Sequence, residues 1–161
     1  MQSDKFTALV RNAIGAAQSA ALAANHQKLT AEHVLAALLK DDNMTVKMLL
    51  AKAGADSASL SALLKAGLDK FPQVTGSGAG QLQLDADLAR ILAAVEAEAK
   101  ARHDQFIAVD LLLLGMTKST GSVGKILKKA GVEPAPLGAA IDEMRKGRTA
   151  DSDAAEGSYD A

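Results

Sequence analysis

Apolar residues at Phe6, Leu9, Val10, Ala13, Ile14, Ala17, Ala20, Ala21 and Ala24 recur with i, i+3, i+4 spacing. That period predicts a long amphipathic helix, with Ser3 placed to cap its start. Beyond the polar stretch from Asn25 to Lys28, Thr30 can cap a second helix carrying Val34, Leu35, Leu38 and Leu39, which Asp41-Asp42-Asn43 ends. Thr45 opens a short third helix with Val46, Leu49, Leu50 and Ala53, and Gly54 stands where a left-handed C-terminal cap is expected. Asp56 or Ser57 starts a fourth, whose Leu60, Leu63, Leu64, Leu68 and Phe71 share a face until Pro72 stops it.

From Phe71 to Gly80 the chain reads FPQVTGSGAG, which has no helical period and is therefore a connector. The pattern then resumes. Asp85 can cap a long fifth helix with Leu88, Ile91, Leu92 and Val95 on one side and Glu96, Glu98, Lys100 and Arg102 on the other. Val109 to Met116 predicts a very apolar helix, Ser122 to Ala130 a short one ending at Gly131, and Pro136 to Lys146 a last one with Leu137, Ile141 and Met144 inward. From Gly147 the text GRTADSDAAEGSYDA is small and polar, the composition of a flexible linker that buries too little apolar surface to order itself.

The two halves repeat. KMLLAKAGAD (Lys47 to Asp56) lies over GKILKKAGVE (Gly124 to Glu133) at an offset of 77, and LTAEHVL (Leu29 to Leu35) over IAVDLLL (Ile107 to Leu113) at 78. Each half is a four-helix unit too small for a core of its own, so the two should pack face to face about a pseudo-twofold axis. The expected organisation is one all-α domain over residues 1–146, with repeat one at 1–71, a connector at 72–80 and repeat two at 81–146. Residues 147–161 are expected to form a linker toward an absent module.

Composition narrows the class. Ala (34) and Leu (22) dominate the apolar content while Val and Ile together number 13, which favours helices over a β sandwich or barrel. The absence of Cys excludes disulfide scaffolds, thiolate metal sites and cysteine nucleophiles. A net charge of −1 gives no field to attract nucleic acid or anionic membranes. Leu111 to Met116 is far short of the roughly 20 residues that cross a bilayer, and the first residues lack an apolar signal core. A cytoplasmic protein is the expectation.

Four features together carry a family resemblance: the twofold repeat of short helices, the opening Thr7 with AQSAAL (Ala17 to Leu22), LTAEHVLAALL (Leu29 to Leu39) and the connector FPQVTGSGAG. Together they resemble the N-terminal domain of the Clp family of AAA+ unfoldases. The connector's large apolar residue, Pro-x-Val-x-Gly and Gly-rich run look like the disaggregase branch rather than the protease-partner branches. The resemblance implies a substrate-recruiting module tethered to a hexameric ATP-driven ring, with unfolded or aggregated polypeptides as ligands and an Hsp70-type chaperone system as a further partner. In the protease-partner branches the equivalent domain docks folded adaptors, which is the alternative role. ATP and Mg belong to the ring and no cofactor is expected in this chain. Its nearest text to a phosphate-binding loop, GSVGKI (Gly121 to Ile126), has Ile126 where a hydroxyl is needed.

Carried over position by position, the resemblance implies substrate-handling roles for Thr7, Asp104 and Asp110 around a groove bounded by the second repeat. Asp85 stands at a fourth position, where the family has a small hydroxyl. Helix capping competes for Thr7, Asp85 and Asp110, which all lie at helix starts. A recruiter of unfolded chains needs exposed apolar surface, since hydrophobic burial is non-directional. Leu88, Leu92 and Leu111 are the candidates, against the alternative that each is core, while Glu98 interrupts the apolar pattern beyond Leu92. His26, His33 and His103 have no i, i+4 pairing that would suggest a metal site. No nucleophile elbow lies in a strand-to-helix context, so the chain is expected to bind rather than to catalyse.

Overall fold

The computed structural model describes residues 3–41, 43–74 and 81–159. α1 (Ala8–Ala23), α2 (Ala31–Lys40), α3 (Met44–Lys52) and α4 (Ser57–Asp69) form one set. α5 (Ala86–Ala101), α6 (Val109–Thr117), α7 (Ser122–Lys129) and α8 (Pro134–Arg145) form the second, and a single-turn α9 (Ala155–Ser158) follows. The all-α class expected from the Ala and Leu content is the class that forms. α5 starts 78 residues after α1 and has the same length of 16 residues.

The packing obeys the repeat. α1 lies on α2 as α5 lies on α6, while α3 packs on α8 and α4 on α7 across the axis. Two-residue strands β1 (Lys28–Leu29) and β2 (Gln83–Leu84) pair in parallel with Leu29 opposite Leu84, and Phe6 bridges Ile107 in the same sense. Phe6 precedes Leu84 by 78 positions, as Leu29 precedes Ile107, so these are one contact made twice. The amide of Thr7 donates to the Ile107 carbonyl at 3.1 Å, and that of Asp85 to the Leu29 carbonyl at 3.0 Å.

Gly54 and Gly131 face each other at the axis with φ of 89° and 92°. Both follow the Ala-Gly ends of short helices, and both need the backbone freedom that lacks a Cβ penalty. A Cβ on Gly131 would stand 3.0 Å from the Gly54 carbonyl oxygen, whereas one on Gly54 would stand 3.9 Å from that of Gly131. Gly131→Ala is expected to lower the unfolding free energy by about 1–2 kcal/mol, with Gly54→Ala costing less. Urea midpoints check this; equal costs would mean that the 3.0 Å approach relaxes freely.

Several starts differ from the sequence reading. Thr7, not Ser3, caps α1, accepting from the Val10 amide at 3.3 Å. Pairing of Phe6 with Ile107 holds the chain extended up to Thr7, so the helix cannot begin earlier. Asn43 rather than Thr45 caps α3, and α8 begins at Pro134, which suits a first-turn position lacking a donor. Thr30, Asp56 and Asp85 cap as expected. In the connector Gln73 bridges His26, while residues 75–80, its Gly-rich part, lie outside the described residues.

The tail departs most from expectation. Instead of a disordered linker, residues 147–159 fold back, burying Ala150, Ala155, Glu156 and Tyr159 against the body. Apolar content misjudged this segment because its order comes mainly from polar contacts. Ala150 accepts from the amides of Gln105 and Phe106 at 2.9 and 3.0 Å, and Asp153 from that of Ala8 at 2.8 Å.

Candidate functional site

α5 and α6 approach closely because position 115 is Gly: a Cβ there would overlap the Val95 Cγ2 methyl. Beside this contact runs a cleft of about 540 Å³. Buried Ile91, Val95, Leu111 and Leu114 form its bed, and exposed Ala94, Ala97 and Ala101 its upper wall. Asp87, Arg90, Glu98 and Lys118 rim it. One end is fixed by Ser119, whose hydroxyl donates to Asp87 at 2.9 Å and accepts from the Gly121 amide at 2.9 Å.

Of the three candidate leucines, only Leu111 lines this cleft, from a position 1% exposed. Leu88 and Leu92 are core side chains, 2% and 8% exposed, and do not form an open groove. The wide apolar face of α5 is divided by its neighbours: Ile91 and Val95 reach the cleft while Leu88 and Leu92 turn inward. Periodicity records the width of such a face but not which flank another helix covers. The sequence reading missed Leu114 and the three alanines. The signal that could have found them is Gly115, a glycine inside the apolar run VDLLLLGM, which marks close backbone approach.

Thr7, Asp104 and Asp110 do come together, but in a second, fully packed place. The Arg145 guanidinium lies between the two carboxylates, donating to Asp110 Oδ2 at 2.7 Å and Oδ1 at 3.0 Å and to Asp104 Oδ1 at 2.9 Å. The Asp104 and Asp110 side chains are 0% exposed and that of Arg145 is 4% exposed. Against burial, which works the other way, hydrogen bonds to Asp110 and Asp104 hold the guanidinium's proton more firmly than usual. Thr7 donates to Glu156 Oε2 at 2.6 Å, and the Val109 amide donates to the same oxygen at 2.9 Å. Tyr159 lies with its ring centroid 5.2 Å from Arg145 Cζ. Neither Arg145 nor Glu156 was legible as a partner, since each is distant in sequence.

Asp85 sits apart from both places, accepting from the amides of Asp87 and Leu88 at 3.1 and 3.3 Å as an N-cap. It borders a cavity of about 340 Å³ with His26, Lys28, Thr30 and Phe71. At the repeat offset of 78, His26 corresponds to Asp104 and Asp85 to Thr7. The cavity is therefore the first-repeat counterpart of the place where the tail lies in the second.

His26 and His33 meet here, Nδ1 to Nε2 at 2.8 Å, a pairing seven residues apart that the sequence reading did not find. The Thr30 amide donates to His33 Nδ1 at 3.1 Å, so the neutral ring carries its proton on Nε2 and donates it to His26. Burial, and secondarily the neighbouring His26, lowers the pKa of His33 to about 4. Among the described residues no group of three or more His, Asp or Glu is placed to hold a metal ion.

Comparison with known proteins agrees with this architecture. The family model described as the Clp repeat (R) N-terminal domain matches residues 5–146. The chain belongs to that family. It is 41% identical over its whole length to the chaperone protein ClpB of Rhodopseudomonas palustris and, to the same degree, to that of Rhizobium meliloti. In both cases it spans 18% of the relative's length. The Hsp104 N-terminal domain of Candida albicans superposes with a TM-score of 0.82 at 21% identity, covering 94% of this chain and 99% of that one. The ClpD N-terminal domain of Arabidopsis thaliana gives 0.66 at 20% identity, covering 91% and 97%. The last two likenesses speak for the fold. Among the described residues, no helix of this Clp N-terminal domain is long and apolar enough to cross a membrane.

Proposed function

We propose that this domain recruits substrate for a ClpB-type disaggregase by taking exposed apolar segments of unfolded or aggregated proteins into the cleft between α5 and α6. The observation that carries the reading is the cleft itself: an apolar bed with alanine walls, open to solvent, inside a ring of mixed charge. Such a surface gains free energy in proportion to apolar area and asks little of sequence, which suits a module that must meet many chains and release them. The few aromatic residues fit the same use, because Trp and Tyr anchors dominate tight interfaces. The ring, its ATP and Mg, and an Hsp70-type partner belong to this proposal through the family resemblance alone.

The test is chemical-shift mapping with a permanently unfolded protein against a folded control. Shifts are expected at Ala94, Ala97, Ala101 and Lys118. Perturbation confined to the first repeat, or none, refutes the cleft. Ala94→Asp, at an exposed position, is expected to weaken binding about tenfold, equivalent to about 1.4 kcal/mol. Its own stability should change by only about 0.5 kcal/mol. Leu111→Asp is unsuitable, since it would bury a carboxylate. The alternative of adaptor docking, as in ClpA- and ClpC-type unfoldases, draws on the rim of Asp87, Arg90, Glu98 and Lys118. It predicts defined stoichiometry and salt-sensitive affinity, where substrate capture predicts weak, promiscuous and salt-tolerant binding.

A further inference from the structure

We infer that the cleft between α5 and α6 selects segments able to form a short amphipathic helix, and seats each one with its C-terminal end beside Lys118. The inference rests on the recruiting role proposed above and adds to it the shape and direction of the ligand.

Shape follows from what lines the cleft. Its bed and wall are the sides of two α-helices, whose amides and carbonyls are bonded within their own turns. Over Ile91, Val95, Leu111 and Leu114 the described residues present an incoming chain with apolar side chains and no sheet edge to pair with. An extended segment laid there would bury amides and carbonyls without partners. A helix arrives with its backbone groups already paired and needs to supply only an apolar face.

The wall has the spacing that receives one. Ala94, Ala97 and Ala101 stand exposed at i, i+3 and i+7 on α5, the positions that form a helix-to-helix seam. Small side chains there let a second helix approach closely, so that its larger side chains reach the bed. The stripe is about 10 Å long, two turns of helix. A ligand therefore needs apolar residues at i, i+3 or i+4, and i+7, a pattern that many unrelated sequences share.

Direction follows from the rim. α5 and α6 run antiparallel, since Ser119 bonds to Asp87 while a Cβ on Gly115 would overlap Val95. Asp87, Arg90 and Lys118 consequently mark one end of the cleft, and Glu98 and Ala101 the other. Arg90 pairs with Asp87 at 3.6 Å, and Arg102 with Glu98 at 2.9 Å. Lys118 is exposed and has no ion pair among the described residues, which leaves its end with an uncompensated positive charge. Such a charge favours the negative, C-terminal end of a bound helix and an acid in its last turn.

The test titrates the full chain with a fluorescein-labelled synthetic peptide, blocked at both termini, whose leucines follow that spacing among Lys, Gln and Glu. A lactam staple on the polar face fixes its helix, and a central proline on the polar face breaks it, with the leucines unchanged in both. The stapled form is expected to bind about tenfold tighter than the plain peptide, and the proline form about tenfold more weakly. Among stapled peptides, Glu in the last turn should bind about threefold tighter than Lys there, and Lys118→Glu in the protein should reverse that order.

Equal binding of the stapled, plain and proline peptides, all weakened by Ala94→Asp, would keep the cleft as the recruiting site and overturn its preference for a helix. Stapled-peptide binding unchanged by Ala94→Asp would place the ligand elsewhere and refute the recruiting role along with the inference. An order of the Glu and Lys peptides that ignores Lys118→Glu would overturn the direction.

Discussion

Arg145→Met is expected to destabilise the domain by about 3–5 kcal/mol, the range for removing one partner from a buried ion pair. Methionine keeps much of the stem's volume, so the loss is chiefly electrostatic. It leaves the Asp104 and Asp110 side chains, both 0% exposed, without the guanidinium that now donates hydrogen bonds to each. The melting temperature should fall by about 10 °C, given a shift of about 2–4 °C per kcal/mol for a chain of this size. Adding Asp110→Asn to Arg145→Met should return part of the loss, since one uncompensated charge is removed, although Asp110→Asn alone also destabilises. A cost below about 1 kcal/mol for Arg145→Met would class the cluster with surface ion pairs and contradict its burial.

The second large effect is one of pH. His33 has a folded pKa of about 4 against an ordinary value of 6.5. The unfolded chain therefore binds more protons between these values, and stability is fully present above pH 6.5 and is lost as pH falls toward 4. From pH 7.5 to 5 the loss assignable to His33 is about 2 kcal/mol. The cause is burial of the ring and then the neighbouring His26, and a proton on Nδ1 would also displace the Thr30 amide, the reciprocal half of the capping box of α2. Urea midpoints at the two pH values for wild type and His33→Gln measure it. The variant should be less stable at pH 7.5 and show a flatter profile. A slope unchanged by the substitution would assign the acid sensitivity to other groups.

Much of the fold could be read directly. The 77–78 residue offset, the paired Ala-Gly helix ends and the caps at Thr30, Asp56 and Asp85 are local signals, and local signals survive folding. The start of α1 was misread because its limit is imposed by Ile107, a hundred positions away, which draws Phe6 into a bridge. The tail was misread for a related reason. Its order depends on amides and carboxylates of the body that apolar content does not register. Thr7, Asp104 and Asp110 lie near one another in the fold, yet the guanidinium that binds two of them together has no sequence signature. Leu88 and Leu92 lie on the apolar side of α5 as the period requires; their burial was decided by how α6 and the other repeat divide that side.

The doubled bridge, Phe6 on Ile107 and Leu84 on Leu29, has a meaning in terms of assembly. Each repeat lends the residue ahead of its first helix to the other, an exchange of the kind that closes an isologous dimer. In two separate identical copies, any change at one of these positions would appear at both. Joined in one chain, the two are free to differ: one seat holds a histidine pair beside an open cavity, and the other a buried arginine closed over by the tail. One chain thus carries two differing halves, with a cavity at one seat and its own tail packed at the other.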